Sequence, residues 1–326
     1  MQGKEASEQE ANVKSSAGVD VCKDWLDAHV WPCDKRLRVP NTPEGIRKLK
    51  RWLQRFDLSI VIIEATGKWH RLLWRSLFQS NIPVAVIDPY KARMFAKALG
   101  ILAKTDQIDA SVLSRYGFMV RPAVRAPQPQ AIEQLAELVT GRDTAVAEQT
   151  RLQNQLSAAT VDFFRKQLRQ RLARLDKNID ELEREIVARI AAEPELARRY
   201  EIVISIPGIG PTVAATLVVR LAELGGLPDK EITMLAGLAP IADSSGKHDG
   251  KRVIWGGRAA VRRMLYLAAL SAKQWNPTLK PFYDRLIENG KETKVALIAV
   301  ARKLVILANT LIAEDRTWQK IPPQNA

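Results

Sequence analysis

The sequence predicts an α/β domain followed by a mainly helical region. Between Ala17 and Val120, strand-like apolar segments alternate with segments of helical periodicity. Three prolines then interrupt the chain within residues 121–130, and the periodicity is helical from there onward. The hydrophobic content of 46% is sufficient for folded cores in a chain of 326 residues, which excludes a disordered protein.

The α/β domain is predicted to begin with two or three antiparallel strands. Residues 17–31 alternate apolar and polar side chains, and the segment KRLRVPN follows after a short turn. Thr42 is the predicted cap of a helix that extends to Phe56. The segments after it are predicted, in order, as a strand (58–64), a helix (70–80), a strand (82–88) and two helices (90–99 and 107–120). This order favours a mixed sheet covered by helices.

The helical region contains a heptad pattern. Its apolar residues alternate spacings of four and three: Leu168, Leu172, Leu175, Ile179, Leu182 and Ile186. A seam of about three heptads is compatible with a coiled coil between chains and with an antiparallel hairpin within one chain. Because a short, narrow seam needs a partner, we favour a role in self-association.

The pattern divides the chain into four parts. Residues 1–16 are polar and are expected to form a disordered extension, and 17–125 form the α/β domain. Residues 126–199 comprise a linker and coiled-coil helices, and 200–326 form a C-terminal helical domain. No segment resembles a signal peptide or has membrane-spanning length, so we expect a cytoplasmic protein without membrane contact.

The charge of the chain indicates a polyanionic partner. The formal net charge is +14, and the segment from Gly246 to Lys303 carries 13 lysines and arginines against four acids. Nucleic acid is the simplest such partner, which also predicts nucleoid association. The basic segments are compatible with DNA and with RNA.

Four acidic residues occupy unusual positions. Asp20 interrupts the apolar alternation of AGVDV, and Glu64 ends the aliphatic segment SIVIIE. Asp106 and Asp109 are three residues apart in KTDQIDA and would share one helix face. Adjacent carboxylates repel each other unless a cation lies between them, and Mg²⁺ (or Mn²⁺) binds such oxygens while leaving positions for phosphate. A capping Asp109, a solvated Asp106 and a hairpin Asp20 are the structural alternative, but the four together favour metal-assisted phosphodiester chemistry.

A second motif is VISIPGIGPTVAATLVV, which spans residues 203–219. Gly208 and Gly210 permit a tight turn between two helices. Backbone N–H groups at a helix N-terminus bind phosphate. The motif therefore favours a helix-hairpin-helix that binds the DNA backbone irrespective of sequence, and the alternative is an ordinary helical turn.

A third segment places Ser244 and Ser245 before Gly246, on a loop that is expected to be exposed. A serine hydroxyl is a weak nucleophile unless a neighbour or a metal activates it. Basic residues that follow could hold a phosphate: Lys247, Lys251, Arg252, Arg258, Arg262 and Arg263. From these residues alone, a turn with a DNA-contacting flank is the better interpretation, and position does not distinguish Ser244 from Ser245.

Together these segments resemble the IS110/IS1111 family of insertion-sequence transposases. The resemblance extends from about Ala17 to the C-terminus, and the ordered set of motifs is more specific than any single motif. The motifs that carry it are GVDVCK, IIEATG, KTDQIDA, SIPGIG, GLAP, the Ser-Gly pair with its basic flank, and WGGRAAVRRMLY.

The resemblance implies a RuvC-like (RNase H-like) first domain in which Asp20, Glu64, Asp106 and Asp109 bind Mg²⁺. It also implies a C-terminal transposase domain with Ser245 as the nucleophile. Members of this family join element and target DNA under the guidance of an element-encoded bridge RNA. They assemble as dimers and tetramers whose active sites combine the acids of one subunit with the serine of another.

Two other functions are compatible with the same residues. One is a RuvC-type, structure-specific nuclease that uses metal-activated water instead of Ser245. The other is a non-enzymatic nucleic-acid-binding factor in which the acids are structural. The sequence of the target site is not encoded in the chain if a guide RNA specifies it.

Overall fold

The computed structural model describes residues 14–101, 105–241, 244–245, 248–249 and 253–319. For Gln107, Ser244, Ser245, His248 and Asp249 it describes the backbone alone. The chain forms two compact units, which comprise Met1–Gln128 and Pro129–Ala326.

The first unit contains a five-stranded mixed sheet of the kind predicted. The strands are β1 (Ser15–Val21), β2 (Trp25–Trp31), β3 (Lys35–Pro40), β4 (Leu58–Glu64) and β5 (Val84–Ile87). Their order is β3-β2-β1-β4-β5. The first three strands are antiparallel neighbours, whereas β4 is parallel to β1 and β5 is parallel to β4. This arrangement is consistent with an RNase H-like domain.

The described part of this unit has four helices that cover both faces of the sheet. They are α1 (Pro43–Leu53), α2 (Arg71–Phe78), α3 (Pro89–Ala98) and α4 (Asp106–Val120). Helices α1 and α2 pack on the face that presents Val19, and α4 packs on the face that presents Ile62. Thr42 caps α1 as predicted, because its hydroxyl accepts a hydrogen bond from the backbone N–H of Gly45.

The predicted disordered extension is too long by two residues. Strand β1 begins at Ser15 rather than Ala17, and both serines have polar partners. The backbone N–H of Ser15 donates to the carbonyl of Asp57, and the buried hydroxyl of Ser16 donates to the carbonyl of Ser114. The strand therefore includes both serines because the fold satisfies the backbone N–H of Ser15 and the hydroxyl of Ser16. The remainder of the predicted extension, residues 1–13, lies outside the described residues.

A close approach between β1 and α4 fixes the position of that helix. A side chain at Gly18 would lie 2.3 Å from the carbonyl oxygen of Ala110 and 2.3 Å from the backbone nitrogen of Ser114. Only glycine permits this contact. Gly18 approaches the middle of α4 and Ser16 approaches Ser114, so the helix begins near the carboxyl end of β1.

The second unit is mainly helical, as predicted. Its described helices are α5 (Gln130–Ala158), α6 (Asp162–Ala192), α7 (Pro194–Ile204), α8 (Pro211–Arg220), α9 (Asp229–Leu235), α10 (Ala259–Trp275), α11 (Leu279–Glu288) and α12 (Thr293–Ala313). Two short strand pairs lie between α9 and α10. They are β6 (Pro240–Ile241) with β9 (Val253–Ile254), and β7 (Ser244–Ser245) with β8 (His248–Asp249).

The heptad pattern lies in α6, which forms an antiparallel hairpin with α5 in the same chain. Of the seam residues, Leu168, Ile179 and Ile186 are buried, and the other three are partly covered. Of the two arrangements that the heptad pattern allowed, the structure thus shows the antiparallel hairpin within one chain. It supplies the partner that the seam requires, so the seam itself no longer argues for self-association.

Contrary to the expectation that no segment has membrane-spanning length, helix α12 is long and apolar enough to cross a membrane by length and composition. Half of its apolar window is buried within the unit, where it packs against α7, α9, α10 and α11. Buried residues such as Val300, Leu304 and Ala308 lie in the largest hydrophobic core. These contacts are those of a central core helix.

Candidate active site

The sheet register places three acidic residues in one row. Asp20 on β1 lies opposite Asp27 on β2, and Asp27 lies opposite Arg38 on β3. Strand β4 lies beside β1 on the edge away from β2, and Val19 pairs with Ile63 there. Asp20 and Glu64 are the next residues of these two parallel strands, so they are neighbours. Cross-strand partners point to the same face of a sheet. This row therefore faces α4, as Gly18 does.

The start of α4 adds two more acids above this row. Thr105 caps the helix, because its hydroxyl accepts a hydrogen bond from the backbone N–H of Ile108 at 3.3 Å. Asp106 and Asp109 lie in the first turn, where the helix dipole favours negative charge. Thr105 is thus the cap, and Asp109 is not, contrary to the structural alternative considered for it.

The four acids predicted from the sequence lie close enough to affect one another. Burial and the negative charges of Asp109, Glu64 and Asp106 together raise the pKa of Asp20 from 3.8 to about 6. Burial contributes most because it disfavours the charged carboxylate, and the three neighbours follow in the order given. A carboxylate in this environment is stabilised by a cation.

A cavity of about 430 Å³ opens beside these acids. Glu64 and Asp109 line it together with Tyr90 and Arg93 of α3. The cavity is large enough for a phosphodiester group, and it gives access to two of the four carboxylates.

The acids suit a divalent cation by their chemistry, since Mg²⁺ and Mn²⁺ bind carboxylate oxygens. Such an ion would also offset the burial and the like charges that destabilise the charged form of Asp20. Among the residues that the structure describes, no three His, Cys, Asp or Glu side chains are gathered around one point as a finished metal centre. The residues thus fit a divalent ion in type and charge, but the described side chains do not surround one point.

Sequence reasoning missed Asp27 and Arg38. The Nη2 atom of Arg38 lies 3.6 Å from Oδ2 of Asp27 and 3.3 Å from Oδ2 of Asp106. Burial raises the pKa of Asp27; the positive charge of Arg38 opposes this effect, and the negative charge of Asp106 adds to it. The alternation of side-chain directions along the strand WLDAHVW was the signal that could have found Asp27, because it places Asp27 and His29 together on one face of β2.

His29 has a structural role one row away. Its Nδ1 atom lies 2.7 Å from the hydroxyl oxygen of Ser114 on α4, and its Nε2 atom lies 2.7 Å from Oδ1 of Asp34. The ring is almost fully buried, and this burial lowers the pKa of His29. These contacts fasten α4 to β2 and so hold Asp106 and Asp109 beside the sheet.

In the second unit, Ser245 lies in the two-residue strand β7. The register places His248 opposite Ser245 and Asp249 opposite Ser244. Lys247, Lys251 and Arg252, which were predicted to bind nucleic acid, lie outside the described residues.

The described arginines of this basic flank have partners within the chain. Arg258 donates to both carboxylate oxygens of Glu223, at 2.7 and 2.6 Å, and to the carbonyl of Arg220. Arg262 donates to the carbonyl of Gly256 at 2.6 Å. These contacts position the start of α10, so Arg258 and Arg262 have structural roles beside the predicted one.

Arg263 is more exposed. Its Nη2 atom lies 3.1 Å from Oδ2 of Asp143, but 57% of the side chain is accessible to solvent. It is therefore the described arginine of this flank with the largest area for a phosphate to contact.

The PGIG turn connects α7 and α8 as predicted. Gly208 has a φ of +101°, and a side chain there would lie 2.6 Å from the Cβ atom of Ala272 in α10. Its conformation and the close packing of α10 both require glycine. A side chain at Gly210 would meet open space, so Gly210 is the glycine of this turn that a DNA backbone can approach. Binding of nucleic acid at this turn stays a prediction.

Comparisons with known proteins agree with the motifs. Residues 17–165 match a family model for the DEDD transposase of IS110, and residues 200–284 match the model of the transposase IS116/IS110/IS902 family. The pilin gene-inverting protein of Moraxella bovis is 28% identical over 324 residues, which include 94% of this chain and 98% of that protein. An uncharacterized 42 kDa protein of insertion element IS900 from Mycobacterium paratuberculosis is 33% identical over 177 residues, which include 50% of this chain and 40% of that protein. The chain belongs to the IS110 family of transposases and is a site-specific DNA recombinase.

Proposed function

We propose that this transposase cuts and rejoins element and target DNA through a covalent serine–DNA intermediate. In this proposal Asp20, Glu64, Asp106 and Asp109 hold Mg²⁺ (or Mn²⁺), and Ser245 is the nucleophile. The observation that carries the proposal is the convergence of four carboxylates at one sheet edge and one helix start, where the other three acids and burial together raise the pKa of Asp20. Such a cluster lowers stability, so its presence indicates a role in binding or catalysis.

The acids would act as ligands. Asp20, Glu64, Asp106 and Asp109 would hold a divalent ion, which would supply polarisation of a phosphate and offset negative charge on its oxygens. Asp20 and Glu64 are fixed by neighbouring strands, and Asp106 and Asp109 are fixed by the cap of α4. Rigid elements of this kind hold ligands with little loss of conformational entropy during the reaction.

Ser245 would carry the covalent step. Its hydroxyl loses a proton to a base, Oγ forms a bond to phosphorus, and the bond from phosphorus to a sugar oxygen breaks. The released sugar oxygen takes up a proton. In the rejoining step a sugar hydroxyl of the second DNA strand attacks the phosphoserine and releases Ser245. The number of phosphodiester bonds is conserved, so no high-energy cofactor is required.

Similarity to the pilin gene-inverting proteins supports rejoining over hydrolysis. The name of these relatives states that they invert a gene, and inversion requires that each cut end is joined again. A nuclease that used metal-activated water would leave the ends free. The relative from Moraxella bovis is similar over nearly the whole length of both chains, so both units contribute to the likeness.

We also propose a structured bridge RNA and a dimeric or tetrameric assembly, as the family resemblance implies. The net charge of +14 suits two nucleic acids. At the connection between α5 and α6, Val161, Phe163 and Phe164 are 62%, 73% and 47% exposed. An apolar group of this size at the end of a long hairpin is suited to contact with a second copy of the chain.

The test is to trap the covalent protein–DNA complex and to compare the wild type with Ser245→Ala. The adjacent substitution Ser244→Ala is the matched control. We expect Ser245→Ala to abolish both strand exchange and the protein–DNA adduct, and Ser244→Ala to retain both. Peptide mapping of the wild-type adduct should place the DNA on Ser245. Full strand exchange by Ser245→Ala would overturn the serine mechanism and favour hydrolysis by the acid site.

A further inference from the structure

Arg38 is a charged residue beside the acid site for which the resemblance gives no role. It lies on β3, two strands from Asp20, in the same cross-strand row. Its guanidinium lies between a buried acid, Asp27, and an exposed one, Asp106. It is therefore a cation at the edge of a group of carboxylates.

The guanidinium is held on more than one side. Asp27 is only 8% exposed and supplies a fixed negative charge 3.6 Å from Nη2. The indole ring of Trp25 lies 5.2 Å from the guanidinium carbon, at a distance typical of cation–π contact. Arg38 nevertheless remains 47% exposed. Its orientation is fixed while much of its surface stays open to a ligand.

A phosphate that approaches the acids meets strong repulsion. Asp20, Glu64, Asp106 and Asp109 are all carboxylates, and DNA brings further negative charge. An arginine at the rim reduces this repulsion and can donate two parallel hydrogen bonds to phosphate oxygens. Arg38 meets these requirements through its charge, its fixed orientation and its exposure.

We propose that Arg38, anchored by Asp27, binds the DNA phosphate beside the acid site and supplies a fixed positive charge against Asp106. This inference rests on the proposed function of the acids. Asp27 is then a positioning residue that acts through Arg38. The same charge that attracts phosphate opposes a divalent ion, so loss of Arg38 has opposite effects on the two ligands.

The test uses the full-length protein and two probes. Mn²⁺ alone is titrated by electron paramagnetic resonance, and a short DNA duplex is titrated without metal by fluorescence anisotropy. We expect Arg38→Gln to bind Mn²⁺ about threefold to tenfold more tightly and DNA about threefold to tenfold more weakly, as removal of one nearby positive charge predicts. Arg38→Lys keeps the charge, so its affinity for Mn²⁺ should stay within about twofold of the wild type.

Arg36→Gln is the matched control. Arg36 lies on the same face of β3 and is similarly exposed at 51%, but it pairs with Asp34 instead of the acids. We expect its affinity for Mn²⁺ to equal that of the wild type. A purely structural role for Arg38 would lower both affinities together with the unfolding temperature.

Equal or weaker Mn²⁺ binding by a folded Arg38→Gln protein would overturn the inference. If that variant does not fold, Asp27→Asn replaces it, and unchanged DNA affinity in Asp27→Asn has the same consequence. Asp20→Asn separates the two proposals. If Asp20→Asn binds Mn²⁺ as the wild type does, the metal site itself is wrong, whereas a failure confined to Arg38 leaves the site intact.

Discussion

The acids of the first unit and the arginines of the second differ in how the fold treats their charges. Asp20 is largely buried and lies near three other carboxylates, and together these raise its pKa to about 6. Arg258 instead makes two hydrogen bonds to Glu223 and one to a backbone carbonyl. The fold thus destabilises the charged form of Asp20, whereas it stabilises the charge of Arg258 with hydrogen bonds.

This difference distinguishes residues that serve chemistry from residues that serve the fold. A charge with good partners stabilises the native state, and its removal leaves those partners unpaired. A charge in an unfavourable environment lowers stability, so its presence indicates a role in binding or catalysis. By this criterion we propose a role in chemistry for Asp20 and a role in the fold for Arg258, and Arg263 lies between them.

The strongest challenge to this distinction is Asp20→Asn. We expect strand exchange to fall by about a thousandfold or more, because a ligand of the proposed ion is lost. Stability should not fall, because the substitution also removes an unfavourable charge. Asp24→Asn, in the exposed turn between β1 and β2, is the control and should retain activity. Measured strand exchange near the wild-type rate in Asp20→Asn would show that the acids are structural.

A second comparison pairs Arg258→Ala with Arg263→Ala. We expect Arg258→Ala to lower the free energy of unfolding by about 2 kcal/mol, because Glu223 loses a two-point partner. Arg263→Ala should cost less than about 1 kcal/mol, since its side chain is 57% exposed. Denaturant unfolding measures both values.

For DNA affinity we expect the opposite order, with a larger effect for Arg263→Ala than for Arg258→Ala. Arg263→Ala should weaken DNA affinity and lower the slope of log affinity against log salt by about one, as loss of a phosphate contact predicts. Arg258→Ala should leave the slope unchanged at temperatures where it is folded. If Arg258→Ala alone changes the slope, the assignment of the two arginines is reversed.

Much of the first unit was predictable because its signals are local. Alternation, apolar segments and the Thr42 cap predicted the described strands and helices between Ala17 and Val120 with small differences at their ends, although the number of antiparallel strands at the start was left at two or three. The proximity of the four acids followed from their positions at the carboxyl ends of strands and at a helix start. Their mutual effect on the pKa of Asp20 confirms that proximity, whereas metal binding stays a prediction.

The remainder depended on contacts distant in sequence. Asp27 looked like a polar strand residue until the register placed it between Asp20 and Arg38. Arg258 was predicted as a DNA contact, and nothing in the sequence indicates that Glu223 also pairs with it. Heptad spacing likewise specifies an apolar seam but not the chain that covers it, and here α5 covers it.

The smallest expected effect concerns pH. Asp20 keeps its proton in the folded state up to about pH 6, whereas its unperturbed pKa is 3.8. Between these values the folded state binds more protons than the unfolded state, so Asp20 makes stability fall as pH rises from about 4 to 6. Asp27, whose pKa burial also raises, acts in the same direction, and His29, whose pKa burial lowers, acts in the opposite direction.

The difference between the wild type and Asp20→Asn therefore isolates the contribution of Asp20. Measured without divalent ions, the unfolding temperature of the variant should rise relative to the wild type by about 2–4 °C between pH 4 and pH 6. Above about pH 7 the difference should stay constant, because Asp20 is then ionised in both states. A difference that does not change across this range would mean that the folded protein does not hold Asp20 among like charges, and the contrast with Arg258 would lose its physical basis.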